Sequence, residues 1–321
     1  MSETLSISGS IHLVARHAAS AMWLARYVER IENLARLLDV TKTFADDDSD
    51  WLSLLRINGD VGAFFGRYAA AGHDSVARFY LLDSDNPTSV QAAIAAAREN
   101  ARTLRALIST EMWLQLNRFH GQICALTGAD LAPERLSSVC AMLKDGTQAH
   151  TGITEGTFYR DQCWHFYMIG RYLERADQTT RLLDTRFNRL APEKRGDAEI
   201  DAGEWHALLH AAAGYHAYRR EHPHGYKVHE VVGFLLANTA FPRSIRLNLA
   251  QLEWHLTQLR LRYHLRGGST ALERVDDLNT TLTHTAVDGL IARGLSPFLD
   301  WIQRDIAMLH NDIIQGFCSG D

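Results

Sequence analysis

Apolar residues recur at spacings of three and four along most of the chain, and no stretch shows the sustained alternation of a β-strand. The six prolines stand where helices can begin or end. This pattern predicts an all-α fold, a helical bundle. The predicted helices cover about 10–41, 51–70, 74–82, 88–110, 111–127, 133–147, 157–190, 202–221, 227–238, 243–265, 270–285 and 297–317.

The clearest feature of the chain is a repeated Arg-Tyr-x-Glu-Arg helix. Residues 26–39 and 171–184, which lie 145 positions apart, are identical at eight of fourteen positions. Chance matching would give roughly one identity in fifteen positions for ordinary composition. The sequence therefore predicts an internal duplication of this helix.

Each copy places its charged and polar groups along one helical face, away from an apolar arc. The two faces carry Arg26, Glu29, Arg30, Asn33 and Arg36, and Arg171, Glu174, Arg175, Gln178 and Arg181. The ordinary explanation is a solvated face whose intrahelical ion pairs contribute about 0.2–0.5 kcal/mol each. Because both copies retain the glutamate–arginine pair, we expect instead that the faces meet at a common polar seam.

Further arginines extend this hypothesis. Arg98 and Arg102 share one helical face, and Arg243 stands beside a proline at a predicted helix start, where anions are favoured. If they reach the repeat, they would form a pocket for a carboxylate or phosphate, which a guanidinium binds with two parallel hydrogen bonds. The candidate ligand-binding residues are Arg26, Glu29, Arg30, Asn33, Arg36, Arg98, Arg102, Arg171, Glu174, Arg175, Arg181 and Arg243, with Glu29 and Glu174 as the candidate catalytic residues.

Length and composition describe an ordinary globular protein. The chain has 321 residues, of which 46% are hydrophobic and 22% charged, so it can bury a large core without disulfides. A polar stretch at 192–201 divides a region at 1–190, which carries both copies of the repeat, from a region at 191–321. We expect the second region to pack on the first, as two domains or one continuous domain.

Several classes of function are disfavoured by charge and by missing motifs. A net charge of −5 gives no attraction to nucleic acid or to an anionic membrane. No apolar run reaches the ~18 residues of a membrane span, no signal-peptide pattern is present, and the four cysteines are scattered. We therefore expect a cytoplasmic protein.

The sequence also lacks the usual signatures of metal and cofactor sites. His206 and His210 share a helical face, but there is no H-E-x-x-H, and Pro223 interrupts the Glu-x-x-His motif. Neither a nucleophile elbow nor a glycine-rich phosphate loop occurs. We predict no metal site and no cofactor on this chain.

These residues resemble the bacterial Alpha-E family, whose hallmark is a Glu-Arg pair in a helix of this kind. The resemblance continues through 98–102, 111–117, 161–177, 205–220 and 234–244. It implies an all-α fold and an association with ATP-grasp-type ligases and transglutaminase-like proteins, which suggests peptide or amide-bond metabolism. ATP and magnesium ions would then be bound by a partner. The resemblance implies no particular reaction.

Three functions fit these observations. In the leading interpretation the protein is an accessory partner of an ATP-grasp-type ligase and binds a peptide or other carboxylate-bearing ligand through the seam. Alternatively, it is an enzyme acting on a peptide or amino-acyl group, with Glu29 or Glu174 as general base. In the third interpretation the ion pairs are a purely structural scaffold, which a dry, sealed seam would favour. A glutamate of shifted pKa in a concave pocket would favour an enzyme.

Overall fold

A computed structural model of the protein describes residues 13, 15–44, 47–190, 202–265 and 267–318. Over these residues the chain forms fifteen α-helices and one 3-10 helix (Gly128–Leu131) and no strand, so the predicted all-α fold is confirmed. The α-helices are α1 (Ala15–Phe44), α2 (Asp48–Asn58), α3 (Val61–Phe65), α4 (His73–Leu81), α5 (Val90–Thr103), α6 (Thr110–Cys124), α7 (Pro133–Thr157), α8 (Gln162–Leu190), α9 (Ala202–Ala211), α10 (Tyr215–Glu221), α11 (Val228–Ala237), α12 (Ile245–Leu261), α13 (Ser269–His284), α14 (Val287–Arg293) and α15 (Leu295–Cys318).

Two predicted helices are broken in the structure. The predicted helix at 51–70 is α2 followed by the short α3, because Gly59 takes a left-handed φ of 75° and its N–H caps the carbonyls of Leu55 and Arg56. The predicted helix at 202–221 is α9 followed by α10. At that break Gly214 lies so close to two phenylalanine rings that a β-carbon would stand 2.8 and 3.0 Å from them.

Other boundaries differ in length. Helix α7 continues to Thr157, ten residues past its predicted end, and α14 was not predicted at all. The linker at 191–201, which marks the predicted boundary between the two regions, lies outside the described residues. Two helices that follow this linker in the chain, α12 and α15, pack directly against α8, which precedes it.

The two longest helices, α1 and α8, lie side by side at the centre of the bundle and run parallel. Their contacts advance together along both chains, from Leu13 N–H donating to Gln162 near one end to the Asn33–Gln178 hydrogen bond further along. Gly170 lets the backbones approach closely, since a methyl group there would overlap the carbonyl of Met22. The two copies of the repeat are thereby placed next to each other.

The remaining long helices enclose this pair. Helices α5 and α7 pack against α1, whereas α12 and α15 pack against α8, and α13 lies outside α12 and α15. One contiguous cluster of buried apolar side chains extends through these elements. Both central helices are therefore covered on most sides, which puts the polar face of each repeat inside the protein.

Candidate functional site

The polar seam is the strip of charged and amide side chains between α1 and α8. It consists of Arg26, Glu29, Arg30 and Asn33 from α1, Arg171, Glu174, Arg175 and Gln178 from α8, and Arg243 from the turn before α12. The two glutamates are sealed from solvent, with Glu29 4% exposed and Glu174 fully buried. The seam residues recur at helical spacings of three and four. Those in α1 therefore all face α8, and those in α8 all face α1.

Two reciprocal ion pairs form the centre of the seam. Arg30 donates from Nε and Nη2 to the carboxylate of Glu174 at 2.7 and 3.0 Å, and Arg175 donates from the same two atoms to Glu29 at 2.8 and 2.7 Å. Both are bidentate, the strongest geometry for an arginine–carboxylate pair. Each glutamate of one copy thus binds the arginine of the other, as the hypothesis of a common seam predicts.

An amide pair extends this arrangement by one helical turn. Asn33 Nδ2 donates to Gln178 Oε1 at 2.7 Å, and these two residues occupy the same position in the two copies. Gln178 Nε2 in turn donates to Glu174 Oε1 at 3.1 Å. The contacts at the centre of the seam therefore follow an approximate twofold relation between α1 and α8.

Additional arginines complete the coordination of each carboxylate. Arg26 donates to Glu174 at 2.7 Å, and Arg243 reaches Glu29 at 3.0 Å and Glu32 at 2.8 Å. Arg243 was predicted as a donor to this cluster, and the structure brings it there. Arg171 is less well placed, because its Nε lies 3.9 Å from Glu29 and has no hydrogen-bond partner.

The electrostatics of the seam keep both glutamates ionised. Burial opposes ionisation of Glu29, but Arg175 and Arg243 outweigh it and lower its pKa to about 2. Burial also opposes ionisation of Glu174, and Arg30 and Arg26 together lower the pKa of this carboxyl below its usual range. Carboxylates held in this way are very weak bases at neutral pH.

The outer arginines of the repeat form local pairs. Arg36 contacts Glu32 at 2.7 Å and Arg181 contacts Asp177 at 2.9 Å, both one turn apart within a helix. These pairs again occupy equivalent positions in the two copies. Arg36 and Arg181 thus flank the seam without touching the glutamates at its centre.

Arg98 and Arg102 do not join the seam, which corrects the predicted pocket. Helix α5 packs against α1 and buries small apolar residues such as Ala97, whereas its arginines lie outside this buried face. Arg98 donates to Asn117 of α6, whereas Arg102 is exposed and pairs with Glu99. Helical spacing identified the shared face of these arginines but not the neighbour that this face meets.

A buried pair of histidines was missed by the sequence analysis. His165 of α8 and His255 of α12 approach Nδ1 to Nδ1 at 2.9 Å, so one ring donates and the other accepts. Burial lowers the pKa of His165 to about 4 and that of His255 to about 3, which keeps the pair neutral. Histidines in separate helices, 90 residues apart, carry no local sequence signal of such a contact.

The described residues offer little for a metal or a small ligand. Within them, no three or more histidine, cysteine, aspartate or glutamate side chains are grouped to hold a metal ion. His206 and His210 instead pack with Tyr215, their ring centroids 4.5 and 4.7 Å from its ring. Three surface clefts, at the α12–α13 turn, between α6 and α7, and beside α4, are all lined by residues outside the seam.

Among the helical residues that the structure describes, none belongs to a segment with the length and apolar character that a bilayer crossing requires.

The fold and the seam together define a helical-bundle protein whose two central helices are joined by buried glutamate–arginine pairs. The chain belongs to the Alpha-E family, described as a predicted alpha-helical domain with a conserved ER motif, whose profile matches residues 13–317. The family resemblance is therefore confirmed.

The chain is similar to uncharacterised mycobacterial proteins. Those from Mycobacterium bovis and Mycobacterium tuberculosis are 28% identical to it over 295 residues, an alignment that covers 83% of this chain and 32% of each relative. The matched region thus makes up about a third of these longer proteins. No solved structure matches the chain significantly.

Proposed function

We propose that this protein is an accessory partner of an ATP-grasp-type ligase in peptide or amide-bond metabolism and is not itself the catalyst. ATP and magnesium ions would be bound by the ligase, and a transglutaminase-like protein is a second candidate partner. We assign the protein to the cytoplasm in this scheme. The seam then holds the bundle together and does not itself receive a ligand.

The observation that supports a non-catalytic, structural role of the seam is its saturation, whereas the choice of an ATP-grasp-type ligase as the partner rests on the family resemblance. Glu174 accepts hydrogen bonds from Arg26, Arg30 and Gln178, and Glu29 is held by Arg175 and Arg243. A ligand carboxylate could bind these arginines only by displacing a buried glutamate that already neutralises them. This geometry supports a structural role for the seam over the ligand-binding role suggested by its composition.

The same geometry argues against a general base in the seam. A general base works best when its pKa lies near the working pH and a substrate can reach it. The pKa of Glu29 is about 2, and neither glutamate exposes more than 4% of its surface. The seam therefore favours an accessory protein over an enzyme that uses Glu29 or Glu174.

The lengths of the relatives support a role beside other polypeptide. In the mycobacterial relatives the matching region makes up 32% of a longer protein, so it is accompanied there by other polypeptide. This arrangement agrees with the association with ATP-grasp-type ligases that the family resemblance implies.

The test is a product analysis with an ATP-grasp-type ligase from the same organism. The purified ligase is incubated with ATP, magnesium and a peptide pool, with and without this protein, and the products are compared by mass spectrometry. We expect new or more abundant amide products only when both proteins are present, and none from this protein alone. An unchanged product set without this protein would refute the proposal, as would turnover by this protein alone that Glu174→Gln abolishes.

A further inference from the structure

The surface cleft at the α12–α13 turn combines apolar and cationic side chains. Its volume is about 600 Å³. The residues that line it, which we call the turn cleft, are Thr257, Arg260, Leu261, His264, Leu265 and Leu272. Sites for small molecules typically measure about 300–1,000 Å³ and join a mostly apolar wall to a few polar groups. The turn cleft has the size and the mixture of side chains of such a site.

Three leucines form the apolar part of the turn cleft. Leu261 is 69% exposed, whereas Leu265 and Leu272 are half-buried against the core. An aliphatic chain that lay in the cleft would remove the exposed surface of these leucines from water, which is favourable. The apolar part of the turn cleft is therefore suited to a hydrocarbon group.

The polar part of the turn cleft consists of hydrogen-bond donors. Arg260 and His264 are four residues apart, and Thr257 precedes Arg260 by three. None of the described residues that line the cleft is acidic. Arg260 is exposed, and in the part of the chain that the structure describes it forms no ion pair. An anion could bind this guanidinium without displacing a carboxylate of the protein.

The backbone at His264 also indicates a role for the turn cleft. His264 follows the end of α12 with a left-handed φ of 57°. This conformation is strained for most residues and is usually taken by glycine or asparagine where a helix ends. Such strain is typical of functional sites, where a particular side chain is kept at a position that glycine would fit better. A role of the imidazole in the cleft would account for histidine at this position.

We propose that the turn cleft binds the carboxylate of a small amphipathic molecule, whose aliphatic chain lies against the three leucines. A carboxylate has two oxygens in one plane, and the Arg260 guanidinium can bind them with two parallel hydrogen bonds. A ring N–H of His264 and the hydroxyl of Thr257 are further donors in the same cleft.

Two kinds of molecule carry this chemistry, a fatty acid and a peptide that ends in an aliphatic residue. The turn cleft lies outside the seam, and this assignment does not depend on the proposed accessory function.

The experiment titrates the full-length chain with octanoate and with N-acetyl-leucine, one probe for each source, and follows binding by saturation-transfer difference NMR. The matched controls are octanamide and N-acetyl-leucinamide, which keep the aliphatic chain but carry no charge. For ligands of about ten non-hydrogen atoms we expect a Kd of about 1 mM for at least one carboxylate. Its amide should bind at least about fivefold more weakly.

Two pairs of variants test the residues of the turn cleft. Arg260→Gln should weaken carboxylate binding at least about fivefold, whereas Arg304→Gln, at an exposed arginine of α15, should bind like the parent. Leu261→Asp should weaken it at least about tenfold, because its charge repels the ligand. Leu114→Asp, at a leucine 56% exposed on α6, should leave binding unchanged. Thermal melting verifies that each variant is folded.

His264→Gly separates a binding role from an incidental one. Glycine takes the left-handed φ without strain, so this variant should melt no lower than the parent. Loss of the imidazole donor should nevertheless weaken carboxylate binding about threefold. Unchanged binding would overturn the role assigned to the imidazole.

Three results would overturn the site itself. These are no binding of either carboxylate at about 10 mM, an amide that binds as tightly as its carboxylate, and a folded Arg260→Gln that binds like the parent. Binding of either carboxylate that Arg260→Gln weakens supports the site, and the tighter probe identifies the source of the ligand.

Discussion

Replacing Glu174 with glutamine should destabilise the protein strongly, because this carboxylate is the shared acceptor of one side of the seam. It accepts from Arg26 Nε at 2.7 Å, from Arg30 Nε and Nη2 at 2.7 and 3.0 Å, and from Gln178 Nε2 at 3.1 Å. Glutamine has nearly the same shape but carries no charge and presents an NH2 group to these donors. Two arginines that are largely buried would then lack their counter-charge.

The size of the effect follows from the burial of the pair. Removing one partner of a buried ion pair costs about 3–5 kcal/mol. Unfolding entropy is about 2.1 cal/mol/K per residue near 60 °C, which for this chain gives roughly 0.7 kcal/mol/K. The melting temperature of Glu174→Gln should therefore fall by roughly 4–7 °C.

Thermal unfolding followed by circular dichroism at neutral pH measures this shift directly. Glu99→Gln is the control, since Glu99 also pairs with an arginine but lies on the exposed side of α5. That variant should melt like the parent, because exposed pairs contribute little. If Glu174→Gln also melts like the parent, the argument that the seam holds the central helices together is refuted.

Three further predictions concern other parts of the bundle. In a double-mutant cycle, Glu29→Gln and Arg175→Met should each lower the free energy of unfolding. The loss in the double variant should be smaller than the sum of the two single losses by about 0.5–3 kcal/mol. Strictly additive losses in urea unfolding would contradict the observed pairing. Gly170→Ala should cost about 1–3 kcal/mol through overlap with the facing backbone, whereas Gly152→Ala, on an open face of α7, should stabilise by roughly 0.5–1 kcal/mol. Burial lowers the pKa of His150 to about 4. Between pH 6.5 and 4, His150 is therefore protonated in the unfolded chain but not in the native protein. Stability should fall by about 2 kcal/mol at pH 5 through this residue, and urea unfolding of His150→Gln should show a correspondingly shallower pH dependence.

The sequence was most informative at the repeat, where one pattern of residues determines both the helix and the helix against which it packs. The Arg-Tyr-x-Glu-Arg repeat, whose two copies lie 145 positions apart, predicted the polar seam. Ion-pairing residues at equivalent positions of two helices can pair with each other only if the helices meet. The reciprocal pairs of Arg30 with Glu174 and Arg175 with Glu29 bear out this reasoning. The ligand-binding role predicted for these residues is untested, and we propose a structural role for them in its place.

The failures have a common physical origin. Arg98 and Arg102 share the periodicity of the seam residues, but periodicity states which residues lie on one face and not which neighbour that face meets. Gly214 packs closely against two phenylalanines more than 15 positions away, and the His165–His255 contact joins two different helices. Each of these features is decided by tertiary packing, which local spacing does not encode.

The parallel pairing of α1 and α8 has a consequence for biosynthesis. Residues that meet in the seam are separated by about 145 positions, so at 5–20 residues per second α8 leaves the ribosome roughly 7–30 s after α1. Because unpaired charges resist burial, Glu29 and Arg30 disfavour the burial of this face of α1 against an apolar surface before α8 is present. A register that pairs Arg30 with Glu174 and Arg175 with Glu29 then satisfies both glutamates at once.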